Sequence, residues 1–177
     1  MGDTIDNVRT VILHAAAGVS NRPAATTSTS SDITFQLPTP VTRPSDTTWG
    51  EEGKPQYVML SKFYAGTHPA NTVGVPRAYP FFYIVSNLPT NVSAPTAGGG
   101  VISNILGVVH SPGINIALAE NTIPRYEALQ AATKSAMLRT SYTQISQLRI
   151  QLLDAAGNPM TWLNATAHNW LIELKFI

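Results

Sequence analysis

Apolar and polar residues trade places at every second position through the clearest stretches of this chain. Leu148, Ile150 and Leu152 alternate with Gln147, Arg149 and Gln151, and Ile172, Leu174 and Phe176 alternate with Leu171, Glu173 and Lys175. That period belongs to a strand with one face in a core and the other wetter. Between the two runs, Asp154–Pro159 reads D-A-A-G-N-P. Gly157 tolerates positive φ there, and Asn158-Pro159 stops the ladder, so a turn is expected. The segment up to Ile177 is therefore expected to belong to the core.

The same pattern recurs upstream. Ile33, Phe35 and Leu37 alternate with Thr34 and Gln36, which predicts a strand over Asp32–Pro38. Further strands are expected over Gln56–Ala65, over Ala78–Ser86 with Pro80 at its start or on an edge, over Val101–His110, over Ile114–Ala119, and briefly over Ala136–Arg139. Pro- and Gly-rich connections separate them: Thr39–Lys54 with Trp49 as an aromatic anchor, Gly66–Pro76, and Asn87–Gly100 ending in Gly98-Gly99-Gly100. Asn121–Ser135 reads as a short helix or an irregular loop, with Pro124 placed for a first helical position. Residues 1–31 read as an N-terminal arm and linker, because Ser20–Ser31 is too rich in Ser, Thr and Ala to bury much. Within that arm Val8–Leu13 is a β-prone run expected to find a sheet edge. About eight strands without βαβ alternation predict an all-β sandwich or barrel, with connections long enough for Greek-key crossing. The expected domains are residues 1–31 and residues 32–177.

Composition changes this picture in one respect. Of the 177 residues, 44% are apolar, an ordinary share, whereas only 12% are charged, about half the usual quarter. A free monomer keeps its surface charged for solubility, so a charge-poor surface points to one covered by partners. The net charge is +1 and no basic block occurs, so no direct nucleic-acid partner is expected. The chain has no cysteine, which excludes disulfide frameworks and thiol chemistry. Its first residues, M-G-D-T-I-D-N-V-R, start acidic without an apolar run, unlike a secretory signal. No apolar stretch reaches transmembrane length, so no membrane insertion is expected.

Candidate chemistry is sparse. His14, His68, His110 and His168 each stand alone, without the spacing of metal ligands. Asp46, Glu51 and Glu52 form the nearest approach to an acidic cluster, but sequence neighbours do not share a strand face. No G-x-S-x-G elbow occurs, and Gly98-Gly99-Gly100 precedes a strand rather than a helix, so it reads as a loop tip and not a phosphate cradle. Asn91-Val92-Ser93 and Asn164-Ala165-Thr166 match the glycosylation triplet, which means little without a secretory signal. Trp49, Trp162 and Trp170 could form a platform that stacks on sugars, but tryptophans more often fill a core or an interface, and the interface is the favoured reading. No catalytic, cofactor-binding or metal-binding residue is assigned, and no enzymatic activity is expected.

The stretches Phe81–Pro89 (F-F-Y-I-V-S-N-L-P), Val101–His110, Arg139–Pro159 and Asn169–Ile177 together resemble a known arrangement. They resemble the single-jelly-roll minor capsid, or penton, proteins of icosahedral DNA viruses with double-jelly-roll major capsid proteins, such as virophages and polinton-like viruses. The resemblance covers about residues 32–177 and rests on a turn and on hydrophobic patterning. It implies a single eight-stranded antiparallel jelly roll behind an N-terminal arm. It also implies a virion location, a ring of five identical subunits at a capsid vertex, and contact with the neighbouring major capsid protein and other virion proteins. Such a ring is a head-to-tail interface that closes, and Val8–Leu13 would then reach a neighbour by β-augmentation. The alternative from a different class is a carbohydrate-binding β-sandwich module using Trp49 or Trp162.

Overall fold

A computed structural model describes residues 8–15, 31–42, 56–65, 81–110, 137–159 and 170–177. Every regular element among them is a β-strand: β1 (Arg9–His14), β2 (Asp32–Thr42), β3 (Gln56–Ala65), β4 (Phe81–Ser86), β5 (Ser93–Pro95), β6 (Val101–Ser103), β7 (Ile105–His110), β8 (Leu138–Thr140), β9 (Gln144–Leu153) and β10 (Trp170–Phe176). All pairings are antiparallel. The first sheet has the order β1-β10-β3-β8 and the second β2-β9-β4-β7, while β5 and β6 form a separate ribbon. The chain thus changes sheet between β1 and β2, between β2 and β3, and again between β3 and β4; its last strand lies beside its first.

The alternation read in the sequence decides which side chains face inward. Ile145, Leu148, Ile150 and Leu152 of β9 and Trp170, Ile172, Leu174 and Phe176 of β10 are all buried in one core. Ile33, Phe35, Leu37 and Val41 of β2 and Phe82 and Ile84 of β4 join them. Four aromatic rings connect the sheets at its centre. Phe35 of the second sheet and Trp170 of the first pack edge-to-face with ring centres 5.7 Å apart. Trp170 stacks on Phe63 of β3 at 6.3 Å. Phe63 then meets Phe82 of the second sheet edge-on at 5.3 Å. Such contacts add to area burial because ring edges and faces carry opposite partial charge.

Residues 9–14, inside the stretch read as an arm, form β1 and complete the first sheet at one edge. The edge they occupy is β10 of their own chain, with Leu13 opposite Ile172 and Val11 opposite Leu174. Leu13 and Ala15 are fully buried, which supplies the driving force for that pairing. Residues 1–7 and 16–30 lie outside the described set. So do the expected strand at Ile114–Ala119, the Asn121–Ser135 stretch and Trp49.

The second strand does not stop at Pro38 as its sequence suggests; it runs to Thr42. Its ladder to β9 breaks after Gln36↔Gln147 and resumes at Val41↔Ile145. The break holds Pro38 and Pro40, which have no N–H to give a ladder. The carbonyls there are taken from the other sheet: the Arg9 guanidinium of β1 donates to Thr39 O at 2.7 Å and to Pro40 O. One side chain therefore ties the edges of both sheets together and occupies acceptors that a foreign strand would otherwise use.

The run Val101–His110 also differs from a single strand. Asn104 adopts φ +57° and divides it into β6 and β7. Its carbonyl accepts the Ser86 N–H at 3.1 Å, and its Oδ1 accepts the Thr90 N–H at 3.2 Å. An amide side chain that bonds locally is what makes the left-handed region tolerable for a non-glycine. The ribbon so released folds over the outer side of the second sheet. Ile102, with Ala94 beside it, packs against Val85, Ile105, Leu153 and Tyr83 in a second, smaller apolar cluster. The Asp154–Pro159 turn forms as its sequence predicts, with Asp154 Oδ1 accepting from Ala156 N and Asn158 N at 2.9 and 2.8 Å. Gly157 sits at φ +86°, and a Cβ there would come 3.1 Å from Thr96 Cγ2 of the ribbon.

Two substitutions test this packing by urea titration, with a third as their control. Trp170→Ala should cost about 3–5 kcal/mol, as expected for a large ring truncated at the centre of a core, whereas Val101→Ala on the exposed side of the ribbon should stay within about 0.5 kcal/mol. Gly157→Ala should cost about 1–2 kcal/mol, because alanine disfavours the left-handed conformation and its methyl would crowd the ribbon.

Candidate functional site

The candidate residues do not assemble into a reaction centre among the described residues. No group of three or more His, Asp or Glu side chains is placed to hold a metal ion there. His14 lies on β1 and His110 on β7, in different sheets; His68 and His168 lie outside the described residues. Asp46, Glu51, Glu52, Trp49, Trp162 and Asn164 lie outside them too. Trp170 is neither an interface residue nor a sugar platform in this chain. It is 1% exposed and locked between Phe35 and Phe63, so its ring faces are unavailable to a ligand. Gly98-Gly99-Gly100 forms the tip of the β5–β6 ribbon, where Gly99 takes φ +82° and its N–H bonds Thr96 O at 3.0 Å. Asn91 is exposed just before β5.

What the strands do build is an ordered polar surface on the outer face of β2 and β9. Alternation turns Asp32, Thr34 and Gln36 to one side of β2 and Gln147, Arg149 and Gln151 to the same side of β9. Register places Asp32 opposite Gln151, Thr34 opposite Arg149 and Gln36 opposite Gln147. The Arg149 guanidinium grips the Asp32 carboxylate in a fork, Nε to Oδ1 at 2.9 Å and Nη2 to Oδ2 at 2.6 Å. Gln151 Nε2 adds a third bond to Oδ2 at 3.1 Å. Gln147 Nε2 donates to Gln36 Oε1 at 2.9 Å, and Gln36 Nε2 donates to Ser146 O at 3.1 Å. Where β4 ends, Asn87 continues its ladder with a side chain: Asn87 Oδ1 accepts the Arg149 N–H at 3.0 Å. A bidentate guanidinium–carboxylate pair fixes geometry as well as charge.

The fork sets the electrostatics. Hydrogen bonds from Arg149 hold the Asp32 carboxyl below its ordinary value; partial burial opposes this, and the Arg149 charge and Gln151 reinforce it. Arg149 is raised in turn by its hydrogen bond to Asp32. A carboxylate so held stays ionised near neutrality. On the first sheet's outer face Lys62 and Glu173, opposite each other in register, pair at 3.6 Å. The Asp32–Arg149 pair, whose members stand 117 residues apart, was not singled out from the sequence. The available signal was opposite charge at outward positions of two alternating strands in a chain poor in charge.

Beside the polar surface lies the ribbon, whose outward residues Ser93, Pro95, Val101 and Ser103 are exposed and uncharged. Val101 is 69% exposed, well above Ile12, Val8 and Val92, the other exposed large apolar residues among those described. No Asp, Glu, Lys or Arg occurs between Arg77 and Glu120. The second sheet's outer side therefore joins a self-satisfied polar face to a neutral ribbon. No protein-family model matches the chain, and no curated protein matches it. No helix among the described residues is long and apolar enough to cross a membrane.

The fork gives a stability that depends on pH with a definite sign. The folded carboxyl lies below its ordinary 3.8, so the Asp32–Arg149 contribution is present above that value and fades as pH falls through the depressed folded value. Thermal melts of wild type and Asp32→Asn should differ by about 0.2–1 kcal/mol at neutral pH and low salt, as for partly exposed ion pairs. The difference should shrink in high salt and vanish in strong acid. A gap that persists in strong acid would rule out the ionised fork as its source.

Proposed function

We propose that this protein is a structural virion protein, a single-jelly-roll subunit of an icosahedral capsid that forms the pentameric vertex and catalyses nothing. The observation that carries this reading is the strand order. Two four-stranded sheets, β1-β10-β3-β8 and β2-β9-β4-β7, place the last strand beside the first. Apart from the ribbon, successive strands among the described residues lie in opposite sheets except at the step from β4 to β7. That is the connectivity expected of two Greek keys wound into a jelly roll, with the β5–β6 ribbon as an insertion between its fourth and fifth strands. Fold alone does not choose a function, so the surface carries the second half of the reading.

The chain is short of charge, 12% overall, and its sequence holds no charged residue from Ala78 to Ala119, a stretch that includes the exposed ribbon. Interface centres are depleted in charge relative to free surface, and a closed ring gives each subunit two different faces to cover. The polar face on β2 and β9 satisfies its own hydrogen bonds, so it can lie against a neighbour without leaving a bare charge. In this reading the partners are other copies of the chain, the surrounding major capsid protein and other virion proteins, and the protein works by shape.

Size-exclusion chromatography with light scattering tests the reading on the full chain. The expected result is a mass of five chains, or a mass that climbs toward that value with concentration. A mass of one chain at every concentration up to the solubility limit overturns it.

A further inference from the structure

Gln56 opens β3 and Thr140 closes β8, and the two stand directly opposite each other in the antiparallel register. Both are buried, at 7% and 6% exposure. The orientation of the Gln56 amide is fixed, because its Oε1 accepts the Tyr142 backbone N–H at 3.1 Å, which only the oxygen end can do. Its Nε2 therefore points away from that bond with two hydrogens to donate. Among the described residues, neither Gln56 Nε2 nor Thr140 Oγ1 has a hydrogen-bond partner.

Directly opposed residues in such a ladder hold their Cβ atoms about 4.5–5.5 Å apart, so the two polar atoms share one neighbourhood. Apolar side chains lie next to them among the described residues. Val58 and Leu138 form a nearby pair in the same ladder, and Leu138 and Tyr142 pack on the main core, with Tyr142 edge-on to Phe176 at 5.8 Å. Buried polar atoms in native proteins are almost always paired, with protein or with ordered water. A single partner for both would accept from an amide and exchange a hydrogen bond with a hydroxyl. Water does both, and buried waters characteristically join otherwise unpaired groups in this way.

We propose that one buried water bridges Gln56 Nε2 and Thr140 Oγ1 and fastens β8 to β3. The short edge strand has need of it: β8 meets β3 through three residue pairs only, Gln56↔Thr140, Tyr57↔Arg139 and Val58↔Leu138. The Oε1–Tyr142 bond and the water then clamp both sides of one amide, which anchors the chain as it leaves β8.

Thr140→Val tests the site by the sign of its effect. Valine keeps the shape and removes the hydroxyl. If the water is bound, the variant strips it of a partner and the melting temperature falls by about 2–8 °C. If the hydroxyl is simply unpaired, its removal leaves the melting temperature unchanged or raises it, and the proposal fails. Should the variant not fold, the wild-type protein decides. A crystal structure that resolves solvent should show a water within hydrogen-bonding distance of both atoms, and NMR should show cross-peaks between water and the Gln56 side-chain amide. A site without such a water, or one filled by a protein atom from another copy, overturns it.

Discussion

Everything in this molecule depends on two sheets being held face to face, and four aromatic rings do most to hold them. Phe35, Trp170, Phe63 and Phe82 run from the second sheet to the first, along it, and back. Each ring comes from a different strand, β2, β10, β3 and β4. One contact network therefore couples segments that begin and end far apart in sequence. Neither sheet could leave its apolar face in water, so burial of these rings holds the sheets together, while buried Leu13 and Ala15 bring the first strand against the last.

Outside that core the chain settles its polar groups locally. Arg9 crosses from β1 to the carbonyls of Thr39 and Pro40, Asn87 extends the ladder beyond β4, and Asp32, Arg149 and Gln151 close a network on the outer face. These devices leave surfaces with polar groups already hydrogen-bonded, and in the Asp32–Arg149 fork the charges cancel. Such surfaces suit the proposed vertex role, where a face must be covered by a neighbour at little desolvation cost. The ribbon adds a neutral layer held to the second sheet by Ile102 and Ala94 and by one long backbone bond from Ala97 to Ala155, at 3.4 Å.

The all-β architecture was legible because burial follows a period of two along most of β10 and the central parts of β2 and β9. Ile150, Leu152, Ile172 and Leu174 announce their inward faces, and Asp154–Pro159 announces its turn by Gly157. Where a local signal conflicts with a distant contact, the sequence misleads. Pro38 reads as a strand end, yet the strand resumes beyond it because Arg9, from the other sheet, takes up the carbonyls of the break. Val101–His110 reads as one strand because nothing nearby reveals that Asn104 will bend it toward Ser86 and Thr90. Trp170 is open in sequence to a core, an interface or a ligand platform, with the interface favoured, and only the register that seats it between Phe35 and Phe63 decides for the core. The Asp32–Arg149 fork and the Gln56–Thr140 pair are products of strand order, which alternation alone does not specify.

The central claim is that this sandwich exists to be tiled beside copies of itself. Electron cryomicroscopy of the purified chain addresses it most directly. The account predicts class averages of a closed ring with five-fold symmetry, each unit a two-sheet sandwich. Images of single sandwiches, or of contacts that propagate without closing, would contradict it.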